Sequence, residues 1–260
     1  MIEFRFLGAN GSCQDADSGN TALLLNGTDG AVCVDLSCNI AAAVDADVDA
    51  VILTHEHIDH IYALPSLVHQ LWLSGRTRAL DIFVPAGMEE LPETLMSVFG
   101  IRKKSGMFDI RISAPDHFRI GTLAISLFKT DHTHTSVGVI VQEGCDKLLY
   151  TCDTRPIQTV SEEMRGTNVL IHEASGSAAD RVLLTKKGHS SAADAARLAE
   201  WLHVQRLYLC HLPRGIQQKN ELLGEALQIF PNTFLPAILK AYCIPDGGVR
   251  QSDSSSSGIC

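Results

Sequence analysis

Apolar and polar residues alternate along "IEFRFLG" from position 2, and the alternation predicts a half-buried strand. "TALLLNG" and "AVCVDLS" flank "GTDG", a turn signal, so a hairpin follows, and "VDAVILTH" is an apolar run of the length of a buried strand. The period then changes. Across "IYALPSLVHQLWLSG" apolar residues recur at helical spacing as far as Gly75, with Pro65 in the first turns. "LDIFVPAG" predicts one more strand and "MEELPETLMSVFG" one more helix.

The second half repeats this order. "FDIRISA", "TLAISLFKT", "SVGVIVQEG", "KLLYTCD" and "NVLIHEA" read as successive strands, and "SAADAARLAEWLH" as a helix. "RLYLCHL" and "AILKAYCIP" are strands around a helical "ELLGEALQIF". Strands then helices, twice, predicts an α/β chain of two mixed sheets packed face to face with helices outside each, a four-layer αββα sandwich. No linker separates the halves, so one domain is expected over residues 1–248. The low-complexity "RQSDSSSSGIC" cannot bury enough apolar surface to order itself, and a flexible tail is expected over 249–260.

Composition narrows the class. A net charge of −9 in 260 residues excludes a protein that coats nucleic acid electrostatically, because counterion release needs an excess of Lys and Arg at the contact. "IRKK", "GRTR" and "TKK" are short basic clusters that read as solvated surface. The eight cysteines have no C-x-x-C spacing and fall mostly in apolar runs, as reduced core residues do; Cys13 and Cys38 occupy loop-like positions, where a metal or redox role stays open. No apolar stretch is long enough to span a membrane, and "MIEFRFLGANG" lacks the regions of a signal peptide, so a cytoplasmic protein is expected.

The chemistry concentrates in "HEHIDH", which follows the apolar run "AVILT". His55 and His57 are two apart, so an extended segment projects both imidazoles to one side, and Asp59 and His60 follow where the chain turns into a helix. That spacing suits two metal ions. Further donors stand at the ends of later strands: His132 or His134 after "LFKT", Asp153 in "LLYTCD" and His211 in "LYLCHL". Imidazole with carboxylate suits zinc first, with manganese or iron as alternatives, and a carboxylate between two metals is a common bridge.

In these residues the chain resembles the metallo-β-lactamase superfamily, whose His-x-His-x-Asp-His, lone histidine, bridging aspartate and final histidine match "HEHIDH", His132, Asp153 and His211 in order. Within it, "LIHEASG" and "GHSSAADAARLAE" resemble the His-Glu-Ala-Thr and Gly-His-Ser-Thr loops of RNase Z, with Ser175 and Ser191 standing in place of the two threonines. The resemblance implies the αββα fold and a hydrolase with two divalent metals. His55, His57 and His132 would hold one, Asp59, His60 and His211 the other, and Asp153 would bridge them. It also implies a metal-activated water with Asp59 as general base, and Glu173 acting with His189 on the leaving oxygen. Lys186, Lys187 and Ser190, flanking His189, are candidate contacts to substrate phosphate. His132 is preferred over His134 because it precedes Gly138 by six residues, as in RNase Z.

The remaining groups carry structural readings. Glu56 alternates away from its neighbours and is expected in solvent, His172 at an exposed strand end, and His69, His117 and His203 in structural contexts. Bacterial RNase Z carries a tRNA-gripping arm between the lone histidine and the bridging aspartate, and here only 20 residues separate His132 from Asp153. Three readings therefore stand side by side: an RNase Z-like phosphodiesterase on RNA 3′ ends, forming the homodimer usual there; a hydrolase of small cyclic or alkyl phosphodiesters, sulfates or thioesters; and a non-catalytic metal-binding module.

Overall fold

A computed structural model describes residues 1–244; the tail expected over 249–260 lies outside the described residues. The first sheet takes β1 (Ile2–Gly8), β2 (Ala22–Asn26), β3 (Ala31–Val34), β4 (Ala50–Ile52), β5 (Leu80–Phe83) and β6 (Ile110–Ser113) in chain order. The second takes β7 (His117–Ile120), β8 (Leu123–Lys129), β9 (Val137–Glu143), β10 (Asp146–Tyr150), β11 (Val169–Glu173), β12 (Arg206–Cys210) and β13 (Thr233–Phe234). A last strand, β14 (Ala241–Ile244), returns to pair with β1 on the outer edge of the first sheet.

Both seven-stranded sheets obey one pairing scheme. From β14 through β1 and β2 to β3 the contacts are antiparallel, and from β3 to β6 they are parallel. From β7 to β10 they are antiparallel, and from there to β13 parallel. A parallel run sends every strand's C-terminal end to one rim, so loops leaving β3 and β4 in one sheet, and β8, β10, β11 and β12 in the other, open on a common edge. The chemistry gathers there.

Three apolar layers hold this arrangement. Between the sheets, Phe4 and Phe6 of β1 meet Tyr208 of β12 and Tyr242 of β14, with Phe4 stacked 5.3 Å from Tyr242 and edge-on 5.6 Å from Tyr208. Truncating Phe4 to Ala would cost about 3–5 kcal/mol, since nothing refills so enclosed a site. Outside the first sheet, α1 (Ala41–Asp45), α3 (Leu64–Leu73) and α4 (Glu90–Val98) seat Ala43, Leu67, Val68, Leu71 and Met96. Outside the second, α6 (Ala192–Leu202) and α7 (Ile216–Leu227) seat Ala195, Ala199, Leu222 and Ala226. Two further helices, α2 (Ile58–Ile61) and α5 (Arg181–Lys187), lie beside the rim.

The four expected layers are present, and the differences lie in short elements. The α1 and α5 helices and the strands β7 and β13 carry too few residues for a periodic signal. The strand expected from "AILKAYCIP" begins only at Ala241, because Ala237 N–H donates to the Tyr242 hydroxyl and turns the chain first. Ser191 is the N-cap of α6, closing a capping box with Asp194 that contributes about 1 kcal/mol to the helix start.

Candidate metal centre

The loop after β4 leaves the sheet at Leu53 and turns into α2 within five residues, and its four candidate ligands diverge accordingly. His55 and His57 face one point: His55 Nε2 lies 2.9 Å from His57 Nδ1, and His132 Nε2, arriving from the end of β8, lies 3.1 Å from the same atom. Asp59 and His60, inside α2, face a second point together with His211 from the end of β12. The Asp59 Oδ2 atom is 3.5 Å from His211 Nε2 and 3.8 Å from His60 Nε2.

Asp153, carried past the end of β10, stands between the two groups. Its Oδ2 lies 3.8 Å from His55 Nε2 and 3.9 Å from His132 Nε2 on one side, and 3.6 Å from His60 Nε2 and 3.2 Å from His211 Nε2 on the other. Donors held at about 2.0–2.1 Å around one tetrahedral cation are about 3.4 Å apart, so these spacings fit. Two buried atoms in the middle, His60 Nε2 and Asp153 Oδ1, have no hydrogen-bond partner, which a folded chain rarely tolerates unless another group satisfies them. Nitrogen and carboxylate donors around unsatisfied lone pairs fit a divalent cation.

The outer nitrogens are braced. His60 Nδ1 donates to Asp35 Oδ2 at 2.7 Å, and Asp35 also accepts from the Thr54 amide and hydroxyl. His132 Nδ1 donates to the Gly188 carbonyl at 2.7 Å, and His211 Nδ1 meets the Ser175 hydroxyl at 2.9 Å. His57 Nε2 is 2.9 Å from His134 Nδ1, whose Nε2 is 3.4 Å from Glu56. Each brace fixes one tautomer and aims the other nitrogen inward. Ser12 donates to Asp59 Oδ2 at 3.0 Å.

The backbone is set for this geometry. Asp35, Cys152 and His211 adopt left-handed φ of 59°, 53° and 49°, which non-glycine residues avoid, and all three stand at strand ends on the rim. Gly188, at φ 87°, must be glycine for a second reason: a Cβ there would sit 2.7 Å from His132 Nδ1.

Electrostatics follow from burial and neighbours. Desolvation pushes the His55 pKa down to about 2, with His60 beside it adding to the effect, so the ring is neutral and free to ligate. Burial likewise lowers His57 and His132. For Asp59 burial opposes ionisation, but His211 and His60 overcome it and the carboxyl stays well below its ordinary range. Burial opposes ionisation of Asp153 too, and the surrounding imidazoles hold it down. At His189 burial disfavours the charged ring, yet the Glu173 carboxylate raises its pKa. Glu173 is fully buried, 3.1 Å from His189 Nδ1, and accepts from the Thr154 amide and the Ser175 hydroxyl.

Thus His55, His57, Asp59, His60, His132, Asp153, His189 and His211 meet at one rim, and Glu173 backs His189. His134 stands outside the cluster against His57. Lys187 and His189 line the adjoining cavity of about 430 Å³ with Gly11, Ser12 and Arg214, while Lys186 is exposed away from its walls. Ser190 is fully buried and its hydroxyl donates to the Thr154 carbonyl at 2.7 Å, so it holds a loop and presents nothing to the cavity. His172, expected exposed, is buried with Nδ1 on the Glu173 carbonyl, because α6 covers that face of β11. The supports Asp35 and Ser12 went unrecognised in the sequence, and Ser175 was noted only for its place in the "LIHEASG" loop. Asp35 had a signal there too, an acid directly after the apolar "AVCV".

Comparison with known proteins gives the family and the fold. The family described as "Beta-lactamase superfamily domain" matches residues 37–212, more than half of the chain. The ribonuclease Z of Methanothermobacter thermautotrophicus is 25% identical over 290 aligned positions, covering 90% of this chain and 94% of that one. Among solved structures, the metallo-β-lactamase fold protein YhfI of Bacillus subtilis superposes with a TM-score of 0.76 at 22% identity, over 91% of this chain and 96% of its own. The short form of human tRNase Z gives 0.73 at 19%, over 94% and 99%. The chain therefore belongs to the β-lactamase superfamily and is one of its metal-dependent hydrolases.

Proposed function

We propose that this protein hydrolyses phosphodiesters with two divalent cations, zinc first, and that it acts at the 3′ ends of RNA in the manner of the ribonuclease Z proteins it resembles. One observation carries the reading: the buried Asp153 carboxylate lies within 3.9 Å of imidazoles from both donor groups, as a bridge between two cations requires. His55, His57 and His132 would hold one cation, and Asp59, His60 and His211 the other. Bound there, the pair would lower the pKa of a shared water and offset charge on the phosphodiester oxygens.

The chain's own groups supply the rest. Asp59, ionised and braced by Ser12, accepts the proton of the attacking water. His189 has Nδ1 engaged by Glu173, so it offers its Nε2 proton to the leaving oxygen, and the raised pKa keeps that proton available near neutrality. Glu173 holds the ring in place. Lys187 and Arg214, on the cavity wall, attract the phosphate. A cytoplasmic setting goes with the free thiols of all seven described cysteines.

A second reading has a specific observation behind it. The hairpin of β9 and β10 fills the interval between His132 and Asp153, where bacterial RNase Z inserts its arm. A hydrolase of small phosphodiesters on the same core needs no arm. Incubation with zinc, precursor tRNA and bis(p-nitrophenyl) phosphate separates the two. Cleavage at the tRNA 3′ side is expected; turnover of the small diester alone would sink the RNA reading, and turnover of neither would sink the phosphodiesterase reading.

A further inference from the structure

Beside the metal-centre cavity lies a second cavity, of about 320 Å³, walled by Tyr62, Pro65, His69, Phe99, Ile101 and Lys104. That volume is in the range of small-molecule sites, about 300–1,000 Å³. One hydrogen bond ties the loop of the first cavity to the wall of the second. Gly11, Ser12 and Cys13 line the first, and Gln14, the next residue, donates to the Tyr62 hydroxyl at 2.8 Å in the second. Tyr62 itself follows His60 by two residues.

Two aromatic rings of this wall face water: Phe99 is 64% exposed and Tyr62 is 40% exposed. A cation accompanies them: Lys104 Nζ lies 4.7 Å over the Trp72 ring, which stacks on His69. Lys103 is exposed beside it. His69 Nδ1 is buried without a partner, a polar atom left over at the wall. Flat aromatic faces and a lysine, in a chain of net charge −9, complement a ligand that is planar at one end and anionic at the other.

Building on the phosphodiesterase reading, we propose that this cavity is a nucleobase subsite, which stacks a base of the nucleic acid strand against Tyr62 and Phe99 while Lys104 meets its phosphate. It would grip single-stranded RNA next to the scissile bond where the chain has no arm between His132 and Asp153. Stacking of this kind is tolerant of sequence and contributes through the π face and the local cations.

The test uses the full chain carrying Trp201→Phe, so that Trp72, the other of its two tryptophans, reports alone. Titration with adenosine monophosphate is expected to quench Trp72 saturably, and ribose 5-phosphate, the same anion without a base, is not. Phe99→Ala and Lys104→Glu, both outside the metal centre, should each weaken the quenching roughly tenfold. In parallel, Phe99→Ala should raise KM for thymidine 5′-(p-nitrophenyl phosphate) by a similar factor and leave ethyl p-nitrophenyl phosphate unchanged. Equal responses to the two ligands, or equal KM changes for the two esters, would overturn the subsite while leaving the hydrolase standing. Base-dependent quenching without turnover of either ester would do the reverse, supporting the subsite and ending the phosphodiesterase reading. Should Phe99→Glu turn a wild-type dimer into monomers with no effect on nucleotide binding, the cavity is covered by a second copy and the proposal falls.

Discussion

The two sheets share a pairing scheme and furnish their common rim in different ways. The first delivers four of the seven candidate ligands through one loop, His55 to His60, and holds them from beneath with Asp35 at the end of the neighbouring strand. The second delivers one from each of three strand ends, His132, Asp153 and His211, and holds them with backbone and hydroxyl groups of other loops. A compact loop fixes its ligands relative to one another by local geometry. Dispersed ligands depend on the register of a whole sheet, so the second half is the part that packing errors should damage first.

The widest separation between the halves should come from Asp153, which stands between both donor groups. Asp153→Ala is expected to abolish phosphodiester turnover and reduce bound metal below two equivalents per chain by mass spectrometry, with far-ultraviolet circular dichroism unchanged; full turnover would refute the bridging role. Next comes the proposed acid. His189→Ala should lower turnover roughly 10²- to 10⁴-fold with metal content retained, because the ring lies beside the cluster and is backed by Glu173. A loss of metal instead would make His189 a ligand.

The braces sharpen the comparison further. Asp35→Asn should weaken metal binding roughly 10- to 100-fold, since the fully buried carboxylate orients His60 with no solvent to replace it. His134→Ala should fall at the low end of that range, because His134 and Glu56 are about half exposed and water can take over the hydrogen bond to His57. The smallest effect concerns acid stability. Lys219 and Asn10 hold the Asp15 pKa down from 3.8 to about 2, so its contribution is complete above pH 4 and disappears as the pH falls toward 2. Asp15→Asn should therefore flatten the stability curve in that window alone, measured by urea unfolding.

The contrast between halves also explains what the sequence revealed. "HEHIDH" was readable because its donors are local and because a strand followed by a helix start determines where they point. Asp153 and His211 were readable only as donors at strand ends, and the choice of His132 over His134 came through a family resemblance, since the local sequence does not separate the two histidines. His172 was misjudged for the complementary reason. Alternation says which residues share a face of β11, and it does not say that a helix rich in alanine will close over the outer one. Ser190 and Ser191, adjacent in sequence, separate into a buried tie to Thr154 and a helix cap, a distinction made by the fold alone.

The left-handed residues at the strand ends have a consequence for how freely the rim can vary. Asp35, Cys152 and His211 hold a backbone conformation that β-branched side chains scarcely adopt, and each sits where a strand gives way to a loop of the cluster. A replacement such as Cys152→Val therefore meets two obstacles, the packing around the side chain and the turn of the main chain beneath it. Substitutions at these three positions are constrained by the path of the peptide as much as by the atoms that face the donors.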